Sequence, residues 1–344
     1  CLNAASSCMI VTIIPRCLLR FRVDICGRLD VYSLDVTGHK LTSNGLRIPG
    51  LVPNPKPSSL RDLLNRPEPL VVPGVVDALS GRLVEEAGFE ACYVTGAGVS
   101  NVMLGLADVG LVTMTEVLEG LRRIVDAVSI PVLVDGDTGH GGPLSVMRTV
   151  HLFEQAGAAA IQLEDQAMPK RCGHFDGKRL VSAAEMQARI RAALAARSTD
   201  EFLVIARTDA LAVEGLTSAL RRAEQYRDAG ADLLFVEAPT SREELETIGR
   251  ELKGVPLVVN IVEGGRTPEL SVAELGEMGF SLVLYANMLM RVMARAGQRA
   301  LRYLAEHGET VGLAADMLSW EERQRLVNLP AAERLEEALE RGNE

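Results

Sequence analysis

From residue 60 onward the chain repeats one pattern: a short run of Val, Ile, Leu and Ala, a polar residue, a turn, then apolar positions at helical spacing. The runs fall at 70–72, 91–94, 131–134, 160–163, 202–206, 233–236, 256–259 and 281–284. Strands that are continuously apolar are buried on both faces, and strands that alternate with helices build a parallel sheet. Eight such units within about 240 residues suit a closed barrel better than an open sheet. The predicted fold class is therefore α/β, a (β/α)8 TIM-type barrel with additional C-terminal helices.

The helical segments agree with this plan. Over 183–196, Met186, Ile190 and Leu194 recur at helical spacing, and Ser182 stands three residues before Glu185 as in a capping box. Ala-Gly-Ala or Ala-Gly-Phe triplets at 87–89, 156–158 and 229–231 read as helix ends where glycine supplies a left-handed residue. A helix over 287–305 carries Leu289, Val292, Met293, Ala296 and Leu304 on one stripe, and a charged helical tail follows from Leu318. Extra helices of this kind usually pack against something, often another subunit. The expected organisation is an N-terminal extension over 1–55 with little regular order, a barrel over 56–305 and a helical tail over 306–344. The cysteines of the extension, Cys1, Cys8, Cys17 and Cys26, match no metal-binding spacing. The apolar stretch 9–14 resembles a short signal core but is followed by arginines, so the extension reads as an expression scar, an over-extended frame or a targeting arm.

Composition narrows the function. With 344 residues and 47% apolar content the chain can bury one large α/β core. A net charge of -10 with pI near 5.2 argues against a nucleic-acid or anionic-membrane partner, so an anionic substrate must be gathered by local cations. Six cysteines are too few for a disulfide scaffold, and no uncharged apolar run is long enough to span a bilayer. These features point to a cytoplasmic protein with reduced thiols.

In a parallel barrel the carboxyl ends of all strands meet on one face, so the polar residues that end the runs become neighbours. They are Tyr93, Thr95 and Gly96; Asp135 and Asp137; Glu164 and Asp165; Arg207 and Asp209; Glu237; Asn260, with Glu263 beyond; and Tyr285. Several carboxylates in one mouth repel unless a cation neutralises them, and all-oxygen ligation suggests Mg²⁺ or Mn²⁺. After the fourth run comes Pro169-Lys170-Arg171-Cys172-Gly173-His174, and Gly173 and Gly177 would let this loop move. Lys170, Arg171 and His174 favour a thiolate at Cys172, whereas a bound polyanion favours the thiol, which could then deliver a proton. Cys92, in an apolar run, reads as core.

On these residues the chain resembles the isocitrate lyase and phosphoenolpyruvate mutase superfamily. The resemblance covers 60–305 and rests on Tyr93-Val94-Thr95-Gly96, Gly105-Leu106-Ala107-Asp108, Val134-Asp135-Gly136-Asp137-Thr138-Gly139, Leu163-Glu164-Asp165-Gln166, Lys170 to His174, Ala206-Arg207-Thr208-Asp209 and Asn260. It implies a Mg²⁺-dependent barrel acting on small anionic 2-hydroxy or 2-oxo acids, and a homotetramer with swapped C-terminal helices. It also implies that Asp135 contacts the metal while Asp108, Asp137 and Glu164 reach it through waters. By the same resemblance Cys172, Arg207, His174, Tyr93, Lys170 and Glu237 are catalytic, and Thr95, Gly96, Ala97, Arg171, Gly173 and Asn260 bind substrate. Tyr93 enters as a base or relay, and the 95–97 backbone as an anion nest.

Within the superfamily the Lys-Arg-Cys-Gly-His signature belongs to carbon-carbon lyases, whereas the phosphonate mutases carry Lys where Gln166 stands. The implied reaction is a retro-Claisen-type cleavage of a substituted malate: metal and Arg207 hold the 2-hydroxy carboxylate, and Cys172 protonates the departing enolate. Isocitrate lyases carry Trp at the position of Ala97. The 262–268 segment is more like the dimethylmalate lyase and petal-death branch, and 285–287 lacks the Pro of methylisocitrate lyases. The expected substrate is 2,3-dimethylmalate or a similar 2-alkylmalate, with 2-methylisocitrate next. The alternatives are an oxaloacetate hydrolase or decarboxylase, a phosphonate mutase-type enzyme and a non-catalytic metabolite-binding barrel.

Overall fold

The computed structural model describes residues 59–341 except 174 and 176, together with the backbone of three strands within 9–34. Eight strands close into a parallel barrel: β1 (Leu70–Val75), β2 (Cys92–Val94), β3 (Val132–Asp135), β4 (Ala160–Glu164), β5 (Leu203–Thr208), β6 (Leu233–Val236), β7 (Leu257–Asn260) and β8 (Phe280–Tyr285). Each pairs with the next in sequence, and β8 returns to β1 with Leu282 opposite Leu70. Every apolar run of the sequence overlaps one of these strands, and the predicted TIM-type barrel is the observed fold.

Side chains alternate along each strand, and here both faces are apolar for different reasons. One set packs outward under the helices, including Val75, Val94, Val134, Leu163, Val204 and Val259. The other fills the barrel with Leu70, Val72, Leu133, Leu203, Ile205, Leu233, Phe235, Val258 and Leu284. Leu60, Leu63 and Leu64 of the short helix Leu60–Leu64 join this interior cluster. The inward rows change chemistry at their carboxyl ends. Leu203 and Ile205 are followed two residues on by Arg207, Leu233 and Phe235 by Glu237, Leu133 by Asp135, Val258 by Asn260, and Ala160 by Gln162 and Glu164. The period that builds the core therefore also delivers the polar set to the open end.

Helix starts follow their local chemistry. Thr113 and Ser271 complete capping boxes with Glu116 and Glu274. The box expected at Ser182 is half formed: Ser182 accepts from the Glu185 N–H, but the Glu185 carboxylate bonds Arg189 instead. Gly88, Gly157 and Gly230 are left-handed at helix ends, as their triplets predicted. The long C-terminal helix runs Met288–His307 rather than over 287–305.

This unit spans Pro53–Met317, and Cys1–Val52 with Leu318–Glu344 form a second unit. In the second unit Met9–Ile14, Cys17–Val23 and Leu29–Leu34 make an antiparallel sheet where the sequence pattern pointed to no regular element. The unbroken run of β-branched residues from Ile10 to Ile14 suits a strand. Its helices are Trp320–Leu326 and Leu329–Arg341. Cys1, Cys8 and Cys26 lie outside the described residues.

Candidate active site

The strand ends and the loop after β4 enclose a cavity of about 40 Å³, lined by Tyr93, Thr95, Ala97, Asp108, Asp135, Gln162, Glu164, Lys170, Arg171, Cys172, Gly173, Arg207, Phe235, Glu237, Asn260, Leu284, Ala286 and Asn287. The space holds roughly three waters.

One wall is acidic. Asp135 accepts from the Asp137 N–H at 3.0 Å and the Gly96 N–H at 3.3 Å. A Cβ at Gly96 would lie 2.8 Å from the Asp135 carboxylate, so only glycine permits this approach. Burial first, then the negative charge of Asp135, holds the Tyr93 phenol well above its ordinary range, so Tyr93 serves as a neutral hydrogen-bond donor to Asp135. Asp137 is left-handed, and its backbone carbonyl accepts from the Glu164 N–H at 2.9 Å, which joins β3 to β4. Lys170 is buried between Asp108 at 2.6 Å and Asp137 at 2.7 Å. Burial opposes its charge, but Asp137, Glu164, Asp135 and Asp108 outweigh that and hold the ammonium above its ordinary range.

The opposite wall centres on Arg207. Asp209 binds its guanidinium bidentately at 2.9 and 3.0 Å, Glu164 lies 3.5 Å away and Glu237 3.7 Å. Burial would raise Asp209, but Arg207 and then Lys178 pull it below the ordinary carboxylate range. Asp165 faces away from the cavity and accepts from Thr208 and Tyr226 at 2.7 Å each, from the Asp209 N–H at 2.9 Å and from Arg222 at 3.4 Å. It fixes the backbone that carries Arg207 and Asp209.

The cysteine loop closes the top. Its base is a short antiparallel contact in which Ala167 N–H donates to Arg179 O at 2.7 Å and Val181 N–H to Asp165 O at 2.9 Å. The Gln166 amide bonds both backbone groups of Arg171, at 2.8 and 2.9 Å, which holds the approach to Cys172. Cys172 is half-buried and unoxidised, and Gly173 is buried against Arg207 and Glu237. His174 lies outside the described residues.

Charge decides what this arrangement can hold. Among the described residues the mouth gathers six carboxylates, Asp108, Asp135, Asp137, Glu164, Asp209 and Glu237, against the four cations Lys170, Arg171, Lys178 and Arg207, so acidic side chains outnumber basic ones. Burial accordingly pushes Asp137 up to about 6 and Glu164 well above its ordinary range. Glu164 Oε1 is buried without a hydrogen-bond partner among the described residues. Among the described residues no three His, Cys, Asp or Glu side chains are grouped to ligate a metal directly. A hydrated Mg²⁺ with one direct carboxylate and others reached through water does not need such a group, and the donors present suit it.

The structure thus brings together the Asp108, Asp135, Asp137, Glu164, Lys170, Arg207 and Glu237 set, with Thr95, Ala97, Arg171, Gly173 and Asn260 around it. The Gly96 N–H is spent on Asp135 rather than held for a substrate. Tyr285 turns outward to the helices, Glu263 pairs with Arg291 at the surface, and Cys92 is core. Sequence reasoning missed Gln162, Asn287 and Lys178. Gln162 had a signal, since it is the polar member of an otherwise apolar inward row; Lys178 had none, because loops carry no period.

Residues 60–305 match the sequence profile of the phosphoenolpyruvate phosphomutase family. Over 272 residues, 79% of this chain and 94% of the relative, the sequence is 41% identical to 2,3-dimethylmalate lyase of Eubacterium barkeri. The chain belongs to the phosphoenolpyruvate mutase/isocitrate lyase superfamily. Within the superfamily it is also 41% identical to 2-methylisocitrate lyase of Vibrio cholerae over 254 residues, 72% of this chain and 82% of that protein. Oxaloacetate acetylhydrolase, solved with 3,3-difluorooxalacetate, superposes with TM-score 0.78 at 36% identity, covering 82% of this chain and 96% of that one. Phosphonopyruvate hydrolase, solved with oxalate and Mg²⁺, superposes with TM-score 0.73 at 31% identity, covering 80% and 96%.

Proposed function

We propose that this chain is a Mg²⁺-dependent carbon-carbon lyase that cleaves a substituted malate to a 2-oxo acid such as pyruvate plus a carboxylate. The favoured substrate is 2,3-dimethylmalate or a close 2-alkylmalate, with 2-methylisocitrate next. The observation that carries the reading is the cysteine loop, seated with Gly173 against Arg207 and Glu237 over a mouth that also holds Asp135 and Glu164. Ala97, Phe235, Leu284 and Ala286 give that mouth an apolar side suited to an alkyl substituent.

Asp135 would hold the dication directly, with Asp108, Asp137 and Glu164 through waters. Bound there, Mg²⁺ (or Mn²⁺) supplies Lewis acidity toward the 2-hydroxy acid and offsets the surplus negative charge. Arg207 binds the substrate carboxylate, and Asn260 and Arg171 orient the far end. The C2 hydroxyl proton passes to a basic group of the mouth, and the C2–C3 electron pair moves onto the departing fragment as an enolate. Cys172 gives its thiol proton to C3 and leaves a thiolate beside Lys170 and Arg171. A malate derivative exceeds the present cavity, so the loop opens to admit it.

The test is an assay of purified protein on 2,3-dimethylmalate, 2-methylisocitrate and oxaloacetate, with pyruvate, oxalate and acetate measured. Cys172→Ser should lose most turnover while still binding Mg²⁺ and pyruvate; a serine variant with unchanged rates ends the assignment. The fold similarity to oxaloacetate acetylhydrolase favours a second reading, hydrolysis of oxaloacetate, which oxalate plus acetate as products would establish.

We read the assembly as a homotetramer in the cytoplasm with exchanged C-terminal helices. In support, no residue of helix Met288–His307 is buried within the chain, and no described helix is long and apolar enough to cross a membrane.

A further inference from the structure

Lys178 has no part in the chemistry above, yet its side chain is only 1% exposed on a loop whose neighbours Gly177 and Arg179 are open to solvent. Burying an ammonium is costly unless its protons are matched. Its Nζ donates to Asp209 Oδ1 at 3.0 Å and to the carbonyl oxygen of Gly173. Asp209 already has a complete bidentate partner in Arg207, so neutralising Asp209 does not by itself require a second cation. What Lys178 adds is a link. One ammonium ties the backbone beside Cys172 to the carboxylate that seats Arg207.

We propose that Lys178 is a positioning residue that latches the cysteine loop shut on Asp209, so that the thiol is delivered to the mouth only with Arg207 in its substrate-holding seat. The tip is then gripped from both arms. Gln166 holds Arg171 on the incoming arm through amide hydrogen bonds, and Lys178 holds Gly173 from the outgoing arm through a charge. The Gly173 seat shows why a latch matters: a Cβ there would lie 2.5 Å from both Arg207 Nη2 and Glu237 Oε1, so the backbone already sits at closest approach. A loop released by a fraction of that distance withdraws the thiol from its target.

This inference rests on the reading of Cys172 as proton donor, so its test includes a readout that needs no turnover. In the full chain, Cys172 alkylation by iodoacetamide is followed by peptide mass spectrometry with and without oxalate plus Mg²⁺, beside kcat and KM on the best substrate. Oxalate plus Mg²⁺ should protect Cys172 in the parent chain. Lys178→Met should lose that protection, with labelling about tenfold faster and kcat down about 100-fold, while KM and oxalate affinity stay within about threefold. Lys178→Arg should regain part of both. Lys178→Gln is run in parallel, so that a misfolded Met variant leaves the comparison standing; without the charge it should also label faster than the parent. Parent-like labelling and kcat in a folded Met or Gln variant overturns the latch, as does a kcat loss with protection intact. If the parent chain turns over none of the acids, the lyase reading fails and the labelling alone decides the latch.

Discussion

At the scale of single residues the mouth is a problem of charge and of space, and each gives a prediction. A buried excess of carboxylates over cations is costly unless a further positive charge offsets it, and the proposed dication would supply that charge. Chelation with EDTA should therefore abolish turnover and lower the melting temperature, and Mg²⁺ or Mn²⁺ should restore both. A dication at 100 times its Kd contributes about 2.7 kcal/mol. Asp135→Asn should erase that Mg²⁺-dependent melting shift, whereas Asp108→Asn, proposed to act only through water, should keep part of it; equal effects would contradict the proposed direct ligand. Space is decided at Gly173. Arg207 and Glu237 belong to the rigid barrel, so with Gly173→Ala the loop yields rather than the strands. Misplacing the thiol by about 1 Å costs about 10²-fold in rate, while the melting temperature should hardly move. Full activity, or a large fall in melting temperature, would show that the loop does not seat as described.

At the scale of elements, the site is set by how strands and helices are pinned behind it. Helix Leu216–Asp228 reaches the back of the mouth through Tyr226 and Arg222, both bonded to Asp165, while Arg222 also binds Glu214 at 2.8 Å. Removing one hydrogen bond to a buried carboxylate costs about 1–3 kcal/mol. Tyr226→Phe should lower the unfolding free energy by that amount, read as a lower denaturant midpoint with an unchanged m value, and a neutral result would mean that Thr208 and the Asp209 N–H satisfy Asp165 without it. The strands themselves were legible because parallel strands buried on both faces read as uninterrupted apolar runs, and their polar terminators follow from the same alternation. Gln162 was overlooked because it sits inside such a run rather than at its end. Asp165, grouped with the strand-end residues by its place in the sequence, differs from Glu164 for a related reason: one residue further on, it takes the other parity and supports the site from behind. The links from Lys178 to Gly173 and Asp209 depend on how a loop folds back against a strand end, which no local pattern specifies, whereas the Glu185–Arg189 pair is an i,i+4 contact within one helix.

At the scale of the whole molecule, the barrel unit presents one helix that does not fit an isolated chain. Helix Met288–His307 has twenty residues and, among the described residues, meets the barrel near its start, through Leu289 and the Arg291–Glu263 pair. Val292, Leu301 and Leu304 are 58%, 69% and 44% exposed on the rest of it, with Arg291, Arg295 and Arg299 alongside. A surface helix in a folded protein is held mainly by burying its apolar stripe rather than by intrinsic propensity. An equivalent surface of a second copy is the cover proposed above, and it can be broken without touching the mouth. Light scattering after size exclusion should give a tetramer for the parent chain. Val292→Asp combined with Leu301→Asp would place two carboxylates in a dry contact, where an unpaired charge costs several kcal/mol. That variant should elute as a smaller species with the barrel's circular dichroism preserved. A monomeric parent, or a double variant that remains tetrameric, would remove this helix from the assembly.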